Sequence, residues 1–272
     1  MCRVLGVTRS WYYAQRNGGM TQRQREDQAL LLGIKEAFEE SDKTYGANRI
    51  VKELRKEGIG VGNNRVCRLM RANGLKVKTT KRFKVTTNSD HKRPVAPNRV
   101  NQVFQSGAPD RLWTGDITYI WTVEGWLYLA VVLDVFSRRI VGWSMNRRMT
   151  EDLVIGAFKN ALVRRSPISG FIFHTDRGSQ YCSRRFRALV KGAGGLQSMS
   201  ATGCCYDNAI TESFFGTLKR ELIHHCSFMT RQDAQSRVFR YIEGFYNRIR
   251  IHSAIDYLSP EQFEERFLKM AA

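Results

Sequence analysis

Between Leu112 and Met145 the sequence holds three aromatic and β-branched runs, LWTGDITYIWT, GWLYLAVVLDVFS and RIVGWSM, parted only by short turns at Glu124-Gly125 and Ser137-Arg138. Runs of this make-up and spacing predict three successive antiparallel strands, a meander. The period then changes. TEDLVIGAFKNALVRR sets Leu153, Ala157 and Ala161 four apart behind a Thr150 cap, as a helix requires. A buried strand in FIFHTD, a helix around Phe186–Val190, a strand in LQSMS and a helix from about Asp207 to Leu222 complete the series.

Antiparallel strands first and crossovers later, in the order βββαβαβα, predict an α/β, ribonuclease-H-like core over residues 105–225, a mixed sheet flanked by helices. Residues 1–75 read as an all-α region, 76–104 as a basic linker and 226–272 as a short helical extension. MCRVLGVTRSWYYAQR has the outline of helix, turn at Gly6 and second helix. Residues 22–41 form an amphipathic helix, and YGANRIVKELRKEGIGVGNNRVCRLMRANGL predicts a helix pair whose second member is capped by Asn63 or Asn64. Arg65, Arg68 and Arg71 then lie near one face of that helix, where a helix entering a DNA groove carries them. The plain alternative is a helical hairpin with solvated arginines.

Charge favours the DNA reading. The net charge is +19, and residues 1–100 hold 22 Lys and Arg against 9 Asp and Glu, with 22 against 16 thereafter. A basic front on a nearly balanced remainder points to a polyanion partner. The linker, Lys81 and Arg82 included, has lost its periodicity and is expected to lie along a phosphate backbone. No apolar run approaches the ~20 residues of a spanning helix, and no signal-peptide core opens the chain, so no membrane partner and a cytoplasmic location are expected. The six cysteines are too few and scattered for a disulfide framework.

Three carboxylates stand out. Asp116 lies mid-strand among Trp113, Ile117 and Tyr119, where an unpaired charge is costly. Asp176 ends the fourth strand before a turn, the end of an α/β sheet where ligands gather. Glu212 shares a polar helical stripe with Asn208, Gly216 and Lys219, opposite Ile210, Phe214 and Leu218. Two strands and a helix that gather three acids need a hard divalent cation, Mg²⁺ or Mn²⁺, to offset their repulsion. Two such ions can activate a water or 3′-hydroxyl and stabilise the oxygen leaving a phosphodiester. Asp134, Asp152 and Asp207 have blander roles as turn and helix-start residues. Zinc is not expected: the adjacent pairs Cys204-Cys205 and His224-His225, with Cys226, lack the gaps that let two side chains turn to one metal.

WTGDITYI, EGWLYLAVVLDVFSRRIVGWSM, HTDRGSQYCS and SMSATGCCYDNAITESFFGTLKRE resemble the OrfB transposases of insertion sequence family three, relatives of retroviral integrases. The 35 residues between Asp176 and Glu212 match the family's DD(35)E spacing, and Lys219 stands seven residues after the glutamate, as in the pattern. FYNRIRIHSAIDYLSPEQF resembles the family's ending, so the likeness runs from Tyr45 to about Phe263. The resemblance implies DNA transposition, with Asp116, Asp176 and Glu212 holding the metals and Lys219 touching the terminal phosphates or bases. Hydrolysis would free a 3′-hydroxyl that attacks a second phosphodiester, within at least a dimer on paired ends. It also implies an upstream partner, OrfA, joined by frameshift fusion and carrying a helix-turn-helix and coiled coil; this sequence begins later than a typical family frame and has no sustained heptad repeat. The competing readings are a ribonuclease-H-like nuclease that cuts without joining and a DNA-binding modulator with a vestigial core.

Overall fold

Five strands form one sheet in the order β3-β2-β1-β4-β5 in a computed structural model of the chain. The described residues are 2–16, 20–78, 95–101, 104, 106–200 and 208–271. They fall in two compact units, residues 1–77 and 78–272, each taken by itself below. Among the described residues no helix is long and apolar enough to cross a membrane.

In the second unit, β1 (Leu112–Thr122), β2 (Gly125–Asp134) and β3 (Ile140–Asn146) make the antiparallel meander. Helix α5 (Glu151–Arg164) then crosses to β4 (Ile172–Thr175), and α6 (Arg184–Gly192) to β5 (Leu196–Met199), both strands running parallel to β1. Helix α7 (Ala209–Glu221) and α8 (Arg231–Phe239) follow, then a π-helical stretch Arg240–Tyr246 and α9 (Pro260–Ala271).

Strand alternation gives the sheet two apolar faces. One packs Leu112, Ile120, Leu129, Val131 and Leu133 against Ile210, Phe214 and Leu218 of α7 and against Ala234, Val238 and Ile242. The other packs Trp113, Ala130 and Val132 against Leu153, Ala157 and Phe158 of α5 and Phe186 of α6. Each fully buried side chain of this size contributes about 1.5–3 kcal/mol. Gly142 lets α5 lie on β3, because a Cβ there would meet Ala157 O at 2.4 Å. Asp134, expected to open a turn, is fully buried and accepts from the N–H groups of Asp110 and Phe136.

The first unit builds on α2 (Gln22–Glu40), α3 (Ala47–Lys56) and α4 (Asn63–Ala72), whose Ile34, Phe38, Ile50, Leu54, Val66 and Met70 are buried. A capping box starts α2: Thr21 Oγ1 accepts from Gln24 N, and Gln24 Oε1 accepts from Thr21 N. Arg55 Nη2 donates to Val61 O across the α3–α4 turn. Two local expectations fail, and a third holds in position alone. Residues 2–6 are turns rather than a helix, and α1 (Arg9–Arg16) is the helical part there; Gly6, at φ 63°, takes the left-handed conformation that a continuing helix cannot hold. The cap of α4 is Gly62, with no side-chain bond, rather than Asn63 or Asn64. Thr150 does stand at the cap of α5, but its side chain makes no capping bond.

Candidate active site

The site is built where β4 ends. Strand β1 pairs with β4 only from Leu112 to Gly115, the last pair being Gly115 and Thr175. Asp116 and Asp176 are therefore the next residues along two adjacent parallel strands. Gly115 makes the approach possible, since a Cβ there would sit 2.6 Å from the Phe173 ring. Helix α7 is tied to the same point: Thr211 Oγ1 donates to Thr114 Oγ1 at 2.7 Å, both hydroxyls fully buried. Thr114 and Asp116 share a strand face, and Glu212 follows Thr211, so this one bond sets the helix's acid over the strand's.

Electrostatics report the crowding. Asp116 is held well above the usual carboxylate range, first by burial and then by the charge of Asp176, with Glu212 adding to it. Its Oδ1 accepts from its neighbour Ile117 N at 2.7 Å, which opposes the rise. Glu212 is raised by burial and by Asp176. Asp176 Oδ1 accepts from Gly178 N at 2.9 Å, which fixes the turn after β4. Beneath the two aspartates lies Tyr181, whose hydroxyl is raised by burial and by both negative charges. Lys219 brings a cation to the cluster, lowered by burial while Asp116 pulls the other way. Its Nζ stands 5.0 Å from the centre of the Tyr119 ring.

Among the described residues no three His, Cys, Asp or Glu side chains already converge on a single metal-sized point. The donor chemistry nevertheless suits a hard cation: carboxylate oxygens, like charges that raise one another, and no imidazole or thiol among them. Asn208, at the cap of α7 in place of the expected Asp207, is buried with Oδ1 lacking a hydrogen bond among the described residues. His225 Nε2 bonds Arg220 O, and Cys226 Sγ accepts from Arg237, so each has a local partner. Cys204, Cys205 and Asp207 lie outside the described residues, as do Lys81 and Arg82.

In the first unit, Arg65 pairs with Asp27 at 2.7 Å and Glu26 at 3.3 Å, and Arg68 pairs with Asp27 at 2.6 Å. These two arginines clamp α4 to α2. Arg71 is exposed and lines an open groove with Asn64, Cys67, Arg68 and Ala72.

The sequence reading missed Tyr181, Thr114, Thr211 and Tyr119. Only Tyr119 left a signal, an aromatic set three residues after Asp116 on a strand otherwise free to bury it.

The fold and site define the integrase-core class, and family models agree: an integrase core domain matches residues 107–205, an HTH-like domain residues 24–83 and a second integrase core model residues 212–268. The intasome of simian T-cell lymphotropic virus, solved with the PP2A regulatory subunit B56 gamma, shares the fold at TM-score 0.50 and 16% identity, over 81% of this chain and 70% of that one. Transposase InsF for insertion sequence IS3A of Escherichia coli (strain K12) is 46% identical over 98% of this chain and 94% of its own. The insertion element IS600 uncharacterized 31 kDa protein of Shigella sonnei is 45% identical over all of both chains. The chain belongs to the IS3 family of insertion-sequence transposases. It is a DNA transposase, a polynucleotidyl transferase of the DDE class.

Proposed function

We propose that Asp116, Asp176 and Glu212 are the acidic triad of this enzyme and together hold two divalent cations, Mg²⁺ or Mn²⁺. The observation that carries this is the end of β4 beside the middle of β1, where Asp176 raises the cost of charge on Asp116 and α7 brings a third acid, through the Thr211–Thr114 bond. When bound, such ions activate an attacking oxygen and stabilise a leaving one in phosphodiester chemistry. The chain's own residues do the rest. The triad orients the scissile phosphate, and Lys219 supplies a cation to the phosphate next to it. Asn208 offers a buried amide oxygen, without a hydrogen bond among the described residues, to a donor on the DNA end. The first cut, by water, leaves a 3′-hydroxyl; this attacks a phosphodiester of a second DNA strand, forming a new phosphodiester as that strand's 3′-oxygen leaves, without a covalent protein intermediate.

On the helical unit, Arg71 and Arg68 border the groove along α4 and contact DNA there, while Arg65, tied to two acids, orients the helix. Lys81 and Arg82 extend the basic path along the backbone. The working form is a homo-oligomer on paired element ends, with OrfA as the partner in end recognition.

The test is strand joining by the full chain. With a pre-cleaved donor end, a plasmid target and Mg²⁺, joined product is expected, and EDTA should abolish it. Cutting without any joined product would favour the simple nuclease instead.

A further inference from the structure

Past Asp116 on β1, on the sheet face turned away from α7, stands an exposed row of aromatic side chains. Tyr119, Trp121 and Trp126 are 48%, 59% and 44% exposed. They share one strand face, since Trp121 pairs with Trp126 across the β1–β2 hairpin and Tyr119 lies two residues from Trp121. Their rings interlock edge to face: Tyr119 and Trp126 centroids are 5.2 Å apart at 86°, and Trp126 and Trp121 are 4.8 Å apart at 74°. Helix α5 covers this face over Ala130 and Val132, yet the hairpin end stays open. Leaving three large rings in water forfeits the burial that would stabilise the fold, so the row calls for a ligand.

Charge says which kind. Lys219 Nζ rests over the Tyr119 ring and belongs to the helix that carries Glu212, so the row adjoins the triad. The neighbouring strand β3 runs out at Asn146, which pairs with Tyr128, the partner of Tyr119, and exposed Arg147 and Arg148 follow it. The acids nearest along the chain are already engaged: Glu124 with the backbone N–H of Arg231, and Glu151 and Asp152 with Arg185. Open π-faces with a cationic rim fit nucleobases better than an apolar protein face.

We infer that Tyr119, Trp121 and Trp126 form a stacking platform for unpaired DNA bases flanking the scissile phosphate. The inference rests on the triad reading above, since that reading puts a phosphate beside Lys219. It adds a device for holding a frayed end: Lys219 fixes the rim of the platform and the two tryptophans receive splayed bases. Stacking of this kind is tolerant of sequence, so the platform selects unpaired over paired DNA, not one base over another.

The experiment uses the full chain and two duplexes of the same sequence, one blunt and one with a short unpaired tail carrying 2-aminopurine. Wild type should bind the tailed duplex more tightly and quench the 2-aminopurine. Trp121→Ala should weaken tailed binding about tenfold, lose the quenching and leave blunt binding within about twofold; Trp121→Phe should restore most of it, and Trp126→Ala should repeat the loss. Because both tryptophans are exposed, the variants should melt as wild type does. Equal weakening on both duplexes would overturn the proposal. So would unchanged tail binding with loss of an oligomer in sedimentation, which would make the row a protein–protein surface. Joining of a blunt pre-cleaved end by wild type reports separately on the triad: tail preference without joining would sink that reading and leave the platform standing.

Discussion

Asp176→Asn is expected to lower strand cleavage and joining by at least about 10³-fold while leaving the fold intact. Asp176 has two roles that this substitution separates. Its Oδ1 accepts from Gly178 N, and an asparagine oxygen can do the same. Its negative charge, which raises Asp116 and Glu212, is lost. If that charge serves to hold cations, several kcal/mol of transition-state stabilisation goes with it, and each 1.4 kcal/mol is a factor of ten in rate. Relief of like-charge repulsion should leave thermal stability unchanged or higher. The checks are a gel assay of nicked and joined DNA, a thermal melt and DNA affinity. A rate within tenfold of wild type would show that the charge is not used in the chemistry.

The second large effect is on stability. Arg250→Ala should destabilise the chain by about 3–5 kcal/mol, because it strands a buried carboxylate. Arg250 and Glu221 side chains are 5% and 9% exposed. Arg250 donates from Nη2 to Glu221 Oε1 at 2.7 Å and from Nε to Oε2 at 2.9 Å, and the Tyr241 hydroxyl donates to Oε2 at 2.7 Å. Burial works against the Arg250 charge, yet the bonds to Glu221 outweigh it and hold the guanidinium charged. Glu221 ends α7, two residues beyond Lys219, so the pair ties the C-terminal segment to the helix that aims Glu212. Native stabilities of ~5–15 kcal/mol leave little margin for such a loss. Chemical denaturation checks it, and the double variant Glu221→Met/Arg250→Met should cost less than Arg250→Ala alone. Should the single variant unfold at the same denaturant concentration as wild type, the pair carries no net weight.

How much of this was legible beforehand depended on the range of the interaction. The meander was readable because alternation in β1 and β2 is dense, and the turns at Glu124-Gly125 and Ser137-Arg138 are short. Ile210, Phe214 and Leu218 declared the buried face of α7 through helical spacing alone, which put Glu212 and Lys219 on the other. Contacts between distant segments left no such trace. Asp27 stands 38 and 41 positions from Arg65 and Arg68, so arginines that looked free for DNA turned out to be partly engaged within the protein. The Glu221–Arg250 pair spans 29 positions with nothing periodic to announce it. Strand parity even argued against the Lys219–Tyr119 contact, since Tyr119 lies on the face away from α7. The contact falls beyond Gly115, where the pairing of β1 with β4 has stopped.

Cap positions failed for a different reason. Asn63, Asn64 and Asp207 are all good N-cap residues, but the chain enters α4 from Gly62 and α7 from Asn208. Entry angle is set by packing against neighbouring helices and strands, and capping preference of the order of 1 kcal/mol yields to it.

Three carboxylates, from β1, the end of β4 and α7, are proposed to hold divalent cations. The most direct measurement is anomalous diffraction at the manganese edge from crystals of the full chain soaked in Mn²⁺. A peak is expected within coordinating distance of both Asp116 and Asp176, with Glu212 drawn toward the same ions, and it should be lost in Asp176→Asn. Manganese bound elsewhere, with the carboxylates of Asp116 and Asp176 left uncoordinated, would contradict the proposal.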